Sequence, residues 1–399
     1  MKKILIANLA SPENPGDRAI LRGTLKLIRE FIPASEITLA TRAFSQRGAY
    51  EEEGCRVVAS YPDVERINEE DSWRKILRAP LTLVRPFPLL RAVDEADMVF
   101  LAGGAYFYSY RKSFPGLTYL AHVTPVLRAA RKKKKIIFLP QSYGPFVSRS
   151  AGALFRACLK PAARVYFRED ISGDFLARNY PEMRTRFFFM PDHALYLEPE
   201  DLLRRTSPEQ QKIIGVTIRP WRESGQDSRA YIDVLASALE RFSEKHDAVI
   251  RIIVQVQDKK SSEGDEGISR SLENTLRQRL PAHKVQFFSK TPFFSLDEIS
   301  RLYSECSVLV CMRLHSALLS YVLGCPALVA GYQHKAEGIL SRLGLKDLYL
   351  GQFDEVSADN LYDRLDEVEG RSSFYKARVK DSLQSARDLI RAEFRECLQ

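Results

Sequence analysis

The sequence predicts an α/β chain of two Rossmann-like domains facing across a cleft. Three observations carry that reading. Short apolar runs alternate with longer segments of helical period, the signature of βαβ units and a mostly parallel sheet. The alternation stops at a charged, apolar-poor stretch, Glu198–Gln211, and then begins again. The chain has 399 residues, 45% hydrophobic and 28% charged, which is enough for two cores of ordinary soluble composition.

Taken in order, Lys3–Leu9 is a continuous apolar strand, followed by the polar loop Ser11–Asp17. Ala19–Phe31 sets Ile20, Leu21, Leu25, Ile28 and Phe31 on one helical stripe. Ile37–Ala40, Arg56–Ala59 and Ala96–Ala102 read as strands, the last ending in Gly103-Gly104. Leu117–Arg131 is helical, and Lys135–Pro140 is a strand running into Gln141–Pro145. Arg164–Phe167 ends at Arg168, and Phe187–Met190 ends at Pro191-Asp192. These elements define a first domain, 1–197, and a linker, 198–211. In the second domain, 212–372, strands Ile213–Ile218, Val249–Val256, Val285–Phe288, Ser307–Met312 and Pro326–Ala330 alternate with helical patterns over Tyr231–Lys245, Ile268–Leu280, Leu296–Glu305 and Leu318–Leu323. Residues 373–399 hold a long charged helix, Tyr375–Cys397, expected to pack back on the first domain. No internal repeat is visible.

The formal net charge is +9 and the pI about 9.1, which favours anionic partners such as nucleic acid, anionic lipid or phosphorylated metabolites. Nucleic acid is not expected, because the charge is diffuse and no helix-turn-helix, RNP or zinc-finger pattern occurs. The six Cys form no CxxC pair, so buried free thiols in a reducing cytosol are expected. The first residues read as a strand rather than a signal peptide, and no run is long and apolar enough to span a bilayer, so a cytoplasmic location is expected. Trp73–Arg91 mixes apolar residues with basic ones and no acid. It reads first as a long packed loop, and otherwise suits peripheral contact with the inner face of an anionic membrane. The run Arg131–Lys135 reads as a solvated helix end that suits the macrodipole.

The densest chemistry lies in Val310–Lys335. Arg313 and His315 fall where an apolar strand ends and a helix begins, and Lys335 lies beyond the next strand. In open α/β sheets ligands bind outside the carboxyl ends of the strands, and a helix N-terminus favours anions. This stretch therefore predicts a site that holds a small, multiply charged anion and protonates it. No second His or acidic ligand stands at metal spacing, so no metal is expected. Packing as a core histidine is the alternative for His315. Arg168 and Arg219 also sit at strand ends, each either an anion clamp or a structural ion-pair partner, and the Pro after Arg219 restricts its direction. Asn14, Gly16 and Asp17 form a strand-to-helix loop whose N–H groups suit a ligand, or in which Asp17 is an N-cap and Gly16 a turn residue. Its glycine spacing is not that of a dinucleotide fingerprint. Gly103 and Gly104 permit close approach of a ligand or another backbone.

In order, the pieces Asn14–Ile20 (N-x-GD-x-AI), Gly103-Gly104, Gln141–Pro145 (QS-x-GP), Arg168–Ser172 (R-x-x-x-S), Pro191-Asp192, Gly215–Trp221 (GV-x-x-RPW) and the RLH of Arg313–His315 followed by Lys335 resemble the polysaccharide pyruvyl transferase family. The resemblance implies a glycosyltransferase-B-like fold. It also implies phosphoenolpyruvate as co-substrate, no other cofactor, and a pyruvate ketal formed on two hydroxyls of a sugar in a surface polysaccharide or its precursor. It puts the acceptor on domain 1–197 and the donor on domain 212–372, and makes His315 catalytic and Arg168, Arg219, Arg313 and Lys335 donor-binding. Asn14, Gly16, Asp17, Gly103, Gly104, Tyr106, Gln141 and Ser142 become acceptor or backbone contacts. Tyr143 stands where the family has Ile or Met, Ala102 where it has Gly, and Ala105–Phe114 is unusually aromatic. Aromatic rings suit a sugar face, so Tyr106, Phe107 and Tyr108 are candidates on the acceptor side.

The residues fit that chemistry independently. Phosphoenolpyruvate carries a carboxylate and a phosphate, and Arg forks match both. An imidazolium can give a proton to the enol carbon. The alternatives are a glycosyltransferase using a nucleotide sugar and a non-catalytic glycan- or nucleotide-binding protein. The acceptor stays open among lipid-linked, nucleotide-linked and polymeric forms.

Overall fold

A computed structural model describes residues 1–60, 88–110, 115–203, 211–220, 228–257, 264–331, 335–352 and 355–399. Most of Trp73–Arg91 and half of the expected linker, together with Trp221, therefore lie outside the described residues. The chain forms two compact units. The first comprises residues 1–12, 20–193 and 389–399, and the second residues 13–19 and 194–388.

The first unit is built on a parallel sheet of β1 (Lys2–Leu9), β2 (Ser35–Thr41), β3 (Arg56–Ala59), β4 (Met98–Leu101), β5 (Gly104–Ser109), β6 (Lys135–Phe146), β7 (Arg164–Phe167) and β8 (Phe187–Phe189). Their order is β3-β2-β1-β4-β6-β7-β8, with β5 beside β6. The runs Ile4–Ala7, Val99–Leu101 and Ile136–Leu139 are buried throughout, as parallel strands covered on both faces require.

β5 has no counterpart among the expected strands, since Gly103-Gly104 read as the end of a strand. It forms because β6 is 12 residues long while β4 is 4. The second half of β6 outruns the sheet and pairs Gly104 with Gln141 and Ser109 with Phe146. The fully buried Phe155 locks this extension, its ring 5.2 Å from Phe107, 5.0 Å from Phe146 and 5.6 Å from Tyr143. Residues 389–399 complete the unit. Phe394 stacks 5.9 Å from Phe100 and lies tilted 5.7 Å from Phe31, and the Tyr166 hydroxyl donates to the Glu393 carbonyl at 2.9 Å.

The second unit carries β9 (Ile213–Thr217), β10 (Val249–Ile253), β11 (Val285–Phe288), β12 (Val308–Cys311), β13 (Ala327–Gly331) and β14 (Tyr349–Gln352) in the parallel order β11-β10-β9-β12-β13-β14. Chain order reverses between β9 and β12, the point where a doubly wound sheet opens a ligand crevice. Lys335, expected in a loop, is the first residue of helix Lys335–Arg342. All six cysteines are free and buried. Among the described residues no helix is long and apolar enough to cross a membrane.

Candidate functional site

In the second unit β9 and β12 lie side by side with Thr217 opposite Cys311, and the Met312 N–H donates to the Thr217 carbonyl at 3.0 Å. Just past these ends come Arg219 on one strand and Arg313 and His315 on the other. Arg313 is the extended N-cap of helix Leu314–Val322, which places His315 in its first turn. The neighbouring Ser316 is buried and fixes that turn. Its hydroxyl accepts from Thr217 Oγ1 at 3.0 Å and from Tyr303 Oη at 3.3 Å, and donates to Gln255 Oε1. The ends of β9 and β10 thereby hold the His315 turn in place.

Arg313 is oriented by a residue that the sequence did not single out. Asp265, fully buried just before helix Glu266–Arg279, accepts from Arg313 Nε at 2.8 Å and Nη2 at 2.6 Å. It also accepts from the Val256 N–H at 3.1 Å. Burial raises its carboxyl above the usual carboxylate range, while Arg313, the Val256 N–H and the charge of Arg219 pull it down. The fork-to-carboxylate geometry fixes the guanidinium plane. The only signal in the sequence was an acidic residue in a polar segment preceding a helix, which is indistinguishable from a helix cap.

The strand-to-helix loop at Asn14 joins this cluster. Residues 13–19, placed in the first domain by chain order, belong to the second unit. Arg18, 8% exposed, donates through Nη1 to the Phe294 carbonyl at 3.2 Å. Gly16 abuts His315 so closely that a Cβ there would lie 2.4 Å from the imidazole Cγ and 2.6 Å from Nδ1. Asn14, rather than Asp17, makes the cap. Its Oδ1 accepts from the Gly16 N–H at 3.0 Å, its Nδ2 donates to Asp17 at 2.9 Å, and Pro15 opens helix Pro15–Phe31. Two helix N-termini thus meet at one imidazole, an arrangement that favours an anion.

The remaining candidates lie in the first unit. Gly103 packs under Ile20 and the Pro140 carbonyl. Gln141 is fully buried where β6 meets both β5 and β7. Arg168 is 6% exposed and donates from Nε to Ser142 Oγ at 3.1 Å and from Nη1 to Asp192 Oδ2 at 2.6 Å. Its sequence neighbour Glu169 takes no part in these bonds. Glu169 instead caps helix Asp170–Asn179 by accepting from the Ser172 N–H. Three separated sequence pieces, Gln141–Pro145, Arg168–Ser172 and Pro191-Asp192, therefore meet through Arg168. Tyr106 and Phe107 are buried, whereas Tyr108 is exposed.

Residues 14–334 match the family described as Polysaccharide pyruvyl transferase. The amylovoran biosynthesis protein AmsJ of Erwinia amylovora is 22% identical over 273 residues, which cover 64% of this chain and 61% of that protein. The chain thus spans under two thirds of that relative's length. Among solved structures, a glycosyltransferase from Rickettsia africae aligns over 100% of this chain and 99% of its own at 12% identity, with a TM-score of 0.61. A UDP-GlcNAc 2-epimerase from Methanocaldococcus jannaschii aligns over 92% of each chain at 10% identity, with a TM-score of 0.58. At such identities the likeness concerns the fold alone, which is glycosyltransferase-B-like.

Proposed function

Because the chain belongs to the polysaccharide pyruvyl transferase family, we propose that it moves pyruvate from phosphoenolpyruvate onto two hydroxyls of a sugar as a ketal, with His315 as the proton donor. The observation that carries this reading is the apposition of Gly16 and His315, which joins two distant family motifs around one titratable group at two helix N-termini. Arg219 and Arg313, at the ends of adjacent strands, supply the fixed cations for a carboxylate and a phosphate. Lys335 opens the next helix but one and adds a third. Asn14, Gly16 and Asp17 shape the backbone beside the imidazole. In the first unit, Arg168 and Ser142 form a supporting pair.

Protonation of the enol methylene carbon makes C2 electrophilic. One sugar hydroxyl attacks C2 and loses its proton, which restores the acid. The C–O bond to phosphate then breaks, and the second hydroxyl closes the ring, its proton leaving with phosphate. General acid catalysis of this type is worth about 10²–10⁴-fold.

The test is thermal shift with phosphoenolpyruvate and, separately, with nucleotide sugars, followed by mass spectrometry of candidate glycolipid and sugar-nucleotide acceptors for a pyruvyl adduct. Stabilisation by phosphoenolpyruvate and an adduct that is absent in His315→Gln are expected. Stabilisation by nucleotide sugars alone would transfer the reading to a glycosyltransferase, and near-normal turnover in His315→Gln would remove the general-acid role.

A further inference from the structure

β5 runs out into exposed tyrosines. Tyr108 near its end and Tyr110 just past it flank the buried Ser109, whereas Tyr106 is buried with Phe107 against His122. Tyr108 is 43% and Tyr110 63% exposed, against 9% for Tyr106. At the inner end Gly104, with φ of +129°, leaves room for the Tyr106 hydroxyl, which lies 2.8 Å from where a Cβ would stand. The Tyr106 ring is 5.3 Å from that of His122. At the outer end the Tyr108 and Tyr110 rings are 5.5 Å apart and tilted by 54°. The strand beneath them is rigid, because Phe107 is fully buried and packs 5.3 Å from Phe138 and 5.2 Å from Phe155.

The location matters as much as the rings. β5 follows β4 in the chain and pairs with the half of β6 that lies beyond the β4 register, Gln141–Phe146. It therefore stands past the carboxyl edge of the sheet, where α/β folds bind ligands. Tyrosine offers a large, rigid, amphipathic surface at low entropic cost. The bare C–H face of a pyranose matches the ring and its hydroxyls match the phenol. Tyrosine also suits a lipid interface, and the exposed Val147 lies beside the end of the strand through an N–H bond to the Ser109 carbonyl at 2.9 Å; the sugar-acceptor reading is what favours a glycan here.

We propose that Tyr108 and Tyr110 form a carbohydrate-binding platform that engages the acceptor glycan, a proposal that rests on the sugar-acceptor reading above. The experiment uses the full chain on an array of neutral and acidic oligosaccharides. Tyr108→Ala/Tyr110→Ala and Tyr108→Phe/Tyr110→Phe are compared with wild type, alongside thermal shift with phosphoenolpyruvate and pelleting with phosphatidylglycerol vesicles. Wild type should retain at least one glycan. The double Ala variant should lose about tenfold or more of that binding, the size expected for two stacked rings, and the double Phe variant should keep most of it. Unfolding temperature and the phosphoenolpyruvate shift should be unchanged in both variants. Equal glycan binding by the double Ala variant, no glycan bound by wild type, or loss of vesicle pelleting in place of glycan binding would each overturn the platform. Absence of a phosphoenolpyruvate shift in wild type would instead strike the donor reading and leave the glycan result standing.

Discussion

At the scale of residues, the Gly16–His315 contact makes the sharpest demand on the sequence. No side chain but hydrogen fits between that backbone and the imidazole. Gly16→Ala should push the ring out of place while leaving most of the fold intact. A turnover loss of about 10²-fold is expected, the size that a misplacement of about 1 Å can produce. Steady-state kinetics with a circular dichroism control checks this, and wild-type turnover would show that the ring position does not matter. Neither motif reveals this contact alone. Asn14–Asp17 and Arg313–His315 are distant in sequence, and each on its own reads as an ordinary helix start with a cap, a turn glycine and a packed His.

At the scale of elements, the buried polar set beneath the His315 turn does what a catalytic loop needs. Thr217, Gln255, Ser316 and Tyr303 come from the ends of β9 and β10, from helix Leu314–Val322 and from helix Leu296–Ser304. Their hydrogen bonds converge on one hydroxyl. Asp265 plays the same part for Arg313. Asp265→Ala would leave a guanidinium only 13% exposed without its carboxylate, so a loss of about 3–5 kcal/mol is expected. Asp265→Asn, which keeps an acceptor, should lose less. Urea denaturation checks both, and equal stability of Asp265→Ala and wild type would refute the orienting role. The β5 strand belongs to this scale too. Its residues are aromatic and favour strands, but the partner that calls it into being is the overlong β6.

At the scale of the whole molecule, two sheets of the same doubly wound order carry different burdens. The first unit buries two neutral imidazoles. His193, fully enclosed, is pushed down to about 4 chiefly by burial, with the charge of Asp192 opposing. His122 falls to about 3 for the same main reason, helped by Arg42. In the unfolded chain both bind protons near the ordinary His value, 6.5. The unfolded state therefore holds more protons between that pH and about 4, and stability falls as pH is lowered through this window. For His193 alone the loss is on the order of 3 kcal/mol. Unfolding temperature should drop from pH 7 to pH 4.5, and His122→Phe should make the decline shallower; an unchanged slope would refute its share. The same unit depends on the last residues of the chain. Phe394 is fully buried among Phe31, Phe100 and His193. Phe394→Ala should cost about 3–5 kcal/mol, measured by the shift in its denaturation midpoint, and a change below about 1 kcal/mol would mean that the terminal helix does not close this core.

By itself the sequence determined the alternation of strands and helices, hence the two doubly wound sheets, because burial on both faces writes continuous apolar runs into parallel strands. It also determined which strand ends carry cations, since Arg168, Arg219 and Arg313 follow their strands directly. Tertiary structure alone decided the partners. The pairing of Arg313 with Asp265 and of Arg168 with Asp192, the seat of Gly16 against His315, and the grouping of residues 13–19 with the second unit depend on contacts between segments far apart in sequence. Local periodicity and capping signals report only on near neighbours, so a side chain whose partner lies on another strand end leaves no mark beside it.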